Sequence, residues 1–345
     1  MYGWRVINLN KVRYMYRKYL TEYDLDTKLF DLWGIDVDDL YPLRKVFIIR
    51  SGKDKYVLKN IDYDKKRYSF INNSIDYVRR NYSFLMSNKK SVSGRIVEEY
   101  NGKYYVLVNL IEGRECSVEN PMDLMIASKG LAQFHKAGAG IEYVSDKSDV
   151  DYKNIAHKFT ERINMLTSIK NMVDIYKFKN YFDEKFCDNV DSCIQTMKRC
   201  IEYITRIDMD KINNNRDSIV FCHNDLAYHN ILIKDEKAYF IDFDYSNINY
   251  RVNDIAQFIN KSIKNSDYDI KMYKTIIDNY EEISPLLDEE KHLLKVLLSY
   301  PNDIIELIFN YYYKKKDWSE EAFNSVMNLK LSQENSRKEF IDKLL

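Results

Sequence analysis

In the stretch His223-Asn224-Asp225-Leu226-Ala227-Tyr228-His229-Asn230, an aspartate and an asparagine stand five residues apart. Asp242 follows Asn230 by twelve residues. Oxygen-bearing side chains in this order suit transfer of a phosphoryl group from Mg-ATP to a hydroxyl. Asp225 would orient the acceptor hydroxyl and take its proton. Asn230 and Asp242 would ligate Mg²⁺, which takes a few protein oxygens and completes its shell with phosphate and water. His223 reads as an orienting residue of the same loop rather than a general base.

The intervening residues must bring these groups together. Ile231-Leu232-Ile233 reads as a strand, Asp235-Glu236-Lys237 as a polar turn, and Ala238–Ile241 as the returning strand. A hairpin returns the chain to its starting end, so Asn230 and Asp242 are expected side by side. Carboxylates capping turns would account for any one of these residues, but not for the ordered set with strands between.

Other positions fit the same chemistry. Lys59 ends the apolar pattern Tyr56-Val57-Leu58-Lys59, where a cation could hold the α- and β-phosphates. Asp76, seventeen residues on, is the candidate carboxylate partner for Lys59; a solvated helix face is its plainer reading. Asp254, in Val252-Asn253-Asp254-Ile255-Ala256, reads as a helix N-cap and also as a pin for the loop backbone near His223. A G-x-G-x-x-G loop is absent from the sequence. The first hairpin carries only Gly52, and Arg44 and Lys45 precede its first strand.

The first part of the chain reads as a small mixed lobe. Strands are expected at Lys45–Arg50, Lys55–Lys59, Arg95–Glu98 and Tyr104–Val108, with Asn101-Gly102 as a hairpin turn. A helix is expected from Lys65 to about Asn81, with Phe70, Ile71, Ser74, Ile75 and Val78 on one face. Asn109–Arg114 reads as a hinge. Met122–Lys136 and the charged region 151–207 read as helical. Val252, Ile255, Ala256, Ile259 and Ile263 mark a further helix, and the last hundred or so residues read as helical, with Tyr311, Tyr312, Tyr313 and Trp318 as packing residues. All nine glycines lie at or before Gly140, so loops needing positive φ are expected chiefly in the first part.

The 53 basic and 53 acidic residues balance, which leaves no electrostatic footprint for nucleic acid or an anionic membrane. The opening Met1–Arg5 lacks the apolar core of a signal segment, and no apolar run reaches spanning length, so synthesis in the cytoplasm is expected. The five cysteines lack a Cys-x-x-Cys pair and read as buried free thiols. Cys222 and His223, adjacent on extended chain, point to opposite faces and do not form a nucleophile and its base. Thirty tyrosines fit the codon bias of an AT-rich genome more simply than oxidative crosslinking in an extracellular assembly.

His223–Leu232, Ile241–Tyr245 and Asn253–Ala256 resemble the aminoglycoside phosphotransferase and choline kinase superfamily. More narrowly, they resemble its CotS-like spore coat proteins. Tyr56–Lys59, Leu110–Glu115, Leu131–Ala137, Tyr300-Pro301, Tyr311–Tyr313 and Trp318 are also similar, and the likeness runs from about Tyr23 to Phe340. It implies an α+β, bilobal protein-kinase-like fold: a small lobe over 1–109, a hinge at 110–114 and a helical lobe over 115–345, with nucleotide between the lobes. It implies Asp225 as base, Asn230 and Asp242 as metal ligands, Lys59 on phosphates, and Leu110 and Ile111 lining the adenine site. Asp244 takes the place of a glycine and would contact metal or acceptor. It further implies ATP or another nucleoside triphosphate, Mg²⁺, an acceptor hydroxyl on a small molecule, sugar or coat component, and other coat proteins as partners. The protein would be made in the mother cell and deposited on the spore. A structural coat protein without turnover, motivated by the missing glycine loop, and an antibiotic kinase are the alternatives.

Overall fold

The computed structural model describes residues 25–141 and 154–344. Met1–Arg5, Tyr23 and residues 151–153, all used above, lie outside the described residues. The chain divides into two compact units, Met1–Asn72 with Met86–Glu112, and Asn73–Leu85 with Gly113–Leu345.

The first unit is built on an antiparallel five-stranded sheet in the order β1-β2-β3-β5-β4. Its strands are β1 (Asp39–Leu43), β2 (Val46–Ser51), β3 (Asp54–Ile61), β4 (Val97–Tyr100) and β5 (Lys103–Asn109). Leu29, Phe30, Trp33, Phe47, Ile49, Leu58 and Leu107 form its core. Asn101 and Gly102, both at positive φ, make the tight turn between β4 and β5, where Tyr100 pairs with Lys103.

Two expectations change here. Strand β1 was not read from the sequence: Pro42 removes a ladder donor, which is tolerable only because β1 is an edge strand. The first hairpin is therefore β1–β2, and Arg44 and Lys45 form its turn, with Arg44 at φ 55°. Lys59 does not end its strand. β3 continues to Ile61, and Lys59 pairs with Val46 on one side and Val106 on the other.

The helix α1 (Lys65–Arg79) buries Phe70, Ile71, Ser74, Ile75 and Val78, the face expected from their spacing. Its last residues group with the second unit, and so does the segment after it. There Phe240 N–H donates to the Phe84 carbonyl (3.1 Å), and Tyr82 Oη to the Ala238 carbonyl (2.5 Å). These bonds brace one strand of the hairpin that carries Asn230 and Asp242.

In the second unit, α2 (Pro121–Gly138) packs beneath that hairpin, β8 (Ile231–Lys234) with β9 (Lys237–Phe240), and the short β6 (Arg114–Glu115) pairs antiparallel with β8. Gly130 lets the two meet: a Cβ there would lie 2.6 Å from Ala238 Cβ. Helices α3 (Ile155–Asp174) and α4 (Tyr181–Ile204) lead to β7 (Ile219–Cys222), which pairs antiparallel with β10 (Asn247–Tyr250). The helix α5 (Arg251–Ile263) follows β10 directly and buries Val252, Ile255, Ala256, Ile259 and Ile263. The C-terminal helices close a second core with α3 and α4, in which Tyr311 stacks on Phe182 at 3.8 Å and Trp318 meets Phe323 at 5.2 Å.

Positive φ is not confined to the glycine-bearing part. Asn154, Asn224, Asp235, Glu236, Asp242, Asp267, Tyr268 and Lys314 all adopt it after Gly140. Short Asn and Asp side chains hydrogen-bond locally and tolerate the left-handed region, so they replace glycine in most of these places.

Candidate active site

The catalytic-loop residues converge as the hairpin geometry requires. Ile231 pairs with Phe240, and Ile241 N–H donates to the Asn230 carbonyl at 3.1 Å, which extends the ladder to the base of the hairpin. Asp242 is the next residue and is exposed, at φ 67°. Phe243 behind it is buried, stacked on Phe221 and 4.7 Å from the His223 ring. Burial of Phe243 fixes Asp242 and Asp244 on either side of it, and Asp244 is half-buried.

Asn230 is buried, and its Nδ2 donates to the Asp225 carbonyl at 2.9 Å. That leaves Oδ1 without a hydrogen bond among the described residues. An uncommitted amide oxygen on the residue that accepts the ladder bond from Ile241, with the Asp242 carboxylate following Ile241 in the chain, is a donor set that fits Mg²⁺.

His223 spans the same base. Its Nδ1 accepts from Asp225 N–H (3.3 Å), which assigns the proton to Nε2, and Nε2 donates to the Ile241 carbonyl (2.8 Å). Both ring nitrogens are thus engaged with backbone, as befits an orienting residue.

Asp254 is wholly buried in the first turn of α5, whose N-cap is Tyr250. The N-cap reading is therefore corrected: the carboxylate is consumed by the loop. His223 N–H donates to its Oδ2 (2.6 Å) and Asn224 N–H to its Oδ1 (2.7 Å). His135 Nε2 donates to the same Oδ2 (3.1 Å), and His135 Nδ1 accepts from Tyr280 Oη (2.8 Å). Burial pushes the His135 pKa below its ordinary value, against the pull of Asp254. Burial pushes Asp254 up, but the hydrogen bond from His135 leads the opposing influences and holds it down. With His135 neutral, Asp254 relies on its hydrogen-bond donors rather than on a full ion pair. Cys222 lies beside these two residues. Burial raises its thiol well above the usual range, and its Sγ faces the Asn249 and Tyr250 carbonyls at 3.5 Å. The trio reads as a hydrogen-bonded pin, since metal ligation would need the thiolate.

The residue that sequence reading missed is Lys261. Its Nζ lies 2.6 Å from Asp225 Oδ1. Asn253, Gln257 and Lys261 recur every four residues along α5, on one polar stripe beside the apolar one. That stripe was a usable signal. Lys59, Leu110 and Ile111 belong to the first unit and are half-buried, and Leu110 N–H donates to the Lys55 carbonyl (2.9 Å). Asp76 belongs to the second unit and stands on the exposed side of α1.

The fold is that of the aminoglycoside phosphotransferases and choline kinases. A crystal structure of an aminoglycoside phosphotransferase from Alicyclobacillus acidocaldarius superposes with a TM-score of 0.80 over 93% of this chain and 95% of that one, at 14% identity. A spectinomycin phosphotransferase in complex with ADP and spectinomycin superposes at 0.60 over 89% and 97%, at 17% identity. At these identities the likeness concerns the fold alone. Residues 26–344 match the family described as "Spore coat putative kinase YutH", and the chain belongs to that family. Two relatives come from Bacillus subtilis (strain 168). Endospore coat-associated protein YutH is 22% identical over 243 residues, 68% of each chain. Spore coat protein S is 30% identical over 93 residues, so the match spans only 26% of each. Among the described residues, no helix is long and apolar enough to cross a membrane.

Proposed function

We infer that this protein is a spore-coat-associated phosphotransferase that moves the γ-phosphoryl group of a Mg-bound nucleoside triphosphate to an acceptor hydroxyl. The observation that carries this reading is the joining of Asp225, Asn230 and Ile241-Asp242 by two hydrogen bonds through Asn230. Asp225 takes the acceptor proton, and His223 and Asp254 hold its loop. Asn230 Oδ1 and the Asp242 carboxylate hold Mg²⁺, which would neutralise charge on the phosphates. Lys59 holds phosphate oxygens, Asp76 is the candidate partner of Lys59, Leu110 and Ile111 line the base, and Asp244 serves metal or acceptor. The nucleotide assignment draws support from the ADP complex of the spectinomycin enzyme, and the coat location from both bacillus relatives.

The test is thermal unfolding of wild type and Asp242→Asn, with and without millimolar Mg-ATP. Asparagine keeps the tolerance for φ 67° while removing the charge. Ligand at about a hundredfold over its dissociation constant should stabilise wild type by roughly 2.7 kcal/mol. A magnesium-dependent shift in wild type that is lost in the variant supports the reading. Silence in both proteins, with ADP and GTP also inert, rejects it in favour of a structural coat protein.

A further inference from the structure

A cavity of about 370 Å³ lies within the second unit, beginning at Asn224, the neighbour of Asp225. Five carboxamides, Asn224, Asn247, Asn249, Asn253 and Gln257, dominate its polar lining, beside Tyr245 and Lys158. Among the described residues that line it there is no carboxylate.

The amides are oriented by one another. Asn253 Nδ2 donates to Asn249 Oδ1, Asn249 Nδ2 to Asn224 Oδ1 (3.2 Å), and Asn224 Nδ2 to Asn247 Oδ1. Tyr250 N–H also donates to Asn249 Oδ1 (2.8 Å), which fixes the direction of the chain. The relay leaves an acceptor, Asn253 Oδ1, at one end and a donor, Asn247 Nδ2, at the other. Gln257, one turn from Asn253 on α5, offers both. Among the described residues these groups have no other partner.

A fixed row of paired donors and acceptors matches hydroxyl groups, each of which donates once and accepts. Apart from Asp225, whose carboxylate is already paired with Lys261, a cationic acceptor would meet amides among the described lining residues rather than a counter-charge. We propose that this cavity is the acceptor site, and that its acceptor is a neutral, polyhydroxylated molecule of the sugar or polyol class rather than an amine. The proposal rests on the phosphotransferase reading. One acceptor hydroxyl oxygen forms a bond to the γ-phosphorus, and the bond from that phosphorus to the β–γ bridging oxygen breaks. The proton passes to Asp225, and the products are a phosphate monoester and the nucleoside diphosphate.

The experiment has two arms on the full chain. In the first, ADP release with Mg-ATP is followed with glucose, N-acetylglucosamine, glycerol and myo-inositol, and with choline and kanamycin. Stimulation by at least one neutral probe, with choline and kanamycin inert, is expected. Stimulation confined to the amines, or none by any neutral probe in a protein that shows the Mg-ATP thermal shift, overturns the proposal. In the second, calorimetric binding of the neutral probes is compared between wild type, Asn253→Leu and Gln257→Leu. Each truncation should weaken binding about fivefold, the worth of one ordinary hydrogen bond. Unchanged binding in both variants overturns the proposal. This arm needs no nucleotide, so it still judges the cavity if the Mg-ATP shift is absent and the phosphotransferase reading fails. Gln257→Glu supplies the missing carboxylate and should move preference towards choline.

Discussion

Lys261 Nζ lies 2.6 Å from Asp225 Oδ1, so the proposed base is paired with a cation delivered from a helix 36 residues further along the chain. The pair orients the carboxylate. It also places a positive charge beside the position where the transferring phosphoryl group would develop negative charge.

Replacing Lys261 with methionine should therefore cost rate rather than stability. Both side chains are about a third exposed, 29% and 38%, so solvent screens the pair and its loss should cost under about 1 kcal/mol of folding free energy. Loss of a charge-assisted contact in the transition state should lower kcat roughly 10- to 100-fold. Steady-state rates beside urea unfolding separate the two effects. A rise in kcat would mean instead that Lys261 restrains the base.

The roles of Asp225 and Asp242 should separate cleanly. Asp225→Ala is expected to abolish transfer while leaving the Mg-ATP thermal shift close to that of wild type, because Asn230 bonds the Asp225 backbone and not its carboxylate. Asp242→Asn should lose the shift itself. Equal loss of nucleotide binding in both variants would contradict this division of labour.

Acid should loosen the loop through His135. Its pKa is depressed in the fold by burial, so below the ordinary histidine value of about 6.5 the unfolded chain binds a proton that the folded chain resists. The stability contributed by the neutral ring is present above that pH and is lost as pH falls towards the depressed value. His135→Gln removes this titration. The gap in melting temperature between wild type and variant should shrink from pH 7.5 to 5.5; a constant gap would show that His135 does not titrate in this window.

Gly130→Ala runs against helix propensity. Alanine within a helix is ordinarily better than glycine by about 1 kcal/mol. Here the added methyl would lie 2.6 Å from Ala238 Cβ, so α2 or the β8–β9 hairpin must move. Net destabilisation of roughly 1–3 kcal/mol is expected, with a weaker Mg-ATP shift because the hairpin carries Asn230 and Asp242. Stabilisation measured by urea unfolding would mean that the hairpin yields freely.

The sequence alone determined what is local. Asp225, Asn230 and Asp242 lie within one loop and one hairpin, where strand periodicity and turn chemistry set the geometry at short range. The apolar stripes of α1 and α5 were legible for the same reason. The edge strand β1 was hidden by Pro42, because whether a strand can spare a donor depends on what lies beside it. Only the tertiary structure decided the long-range partners. Asp254 reaches the His223 amide across 31 residues, and His135 reaches Asp254 across 119. Lys261 meets Asp225, and five amides from a loop, a strand and a helix line one cavity. Local spacing carries no record of such contacts. They arise when burial of separate apolar faces packs one element against another, and the polar groups left at the seams must find each other.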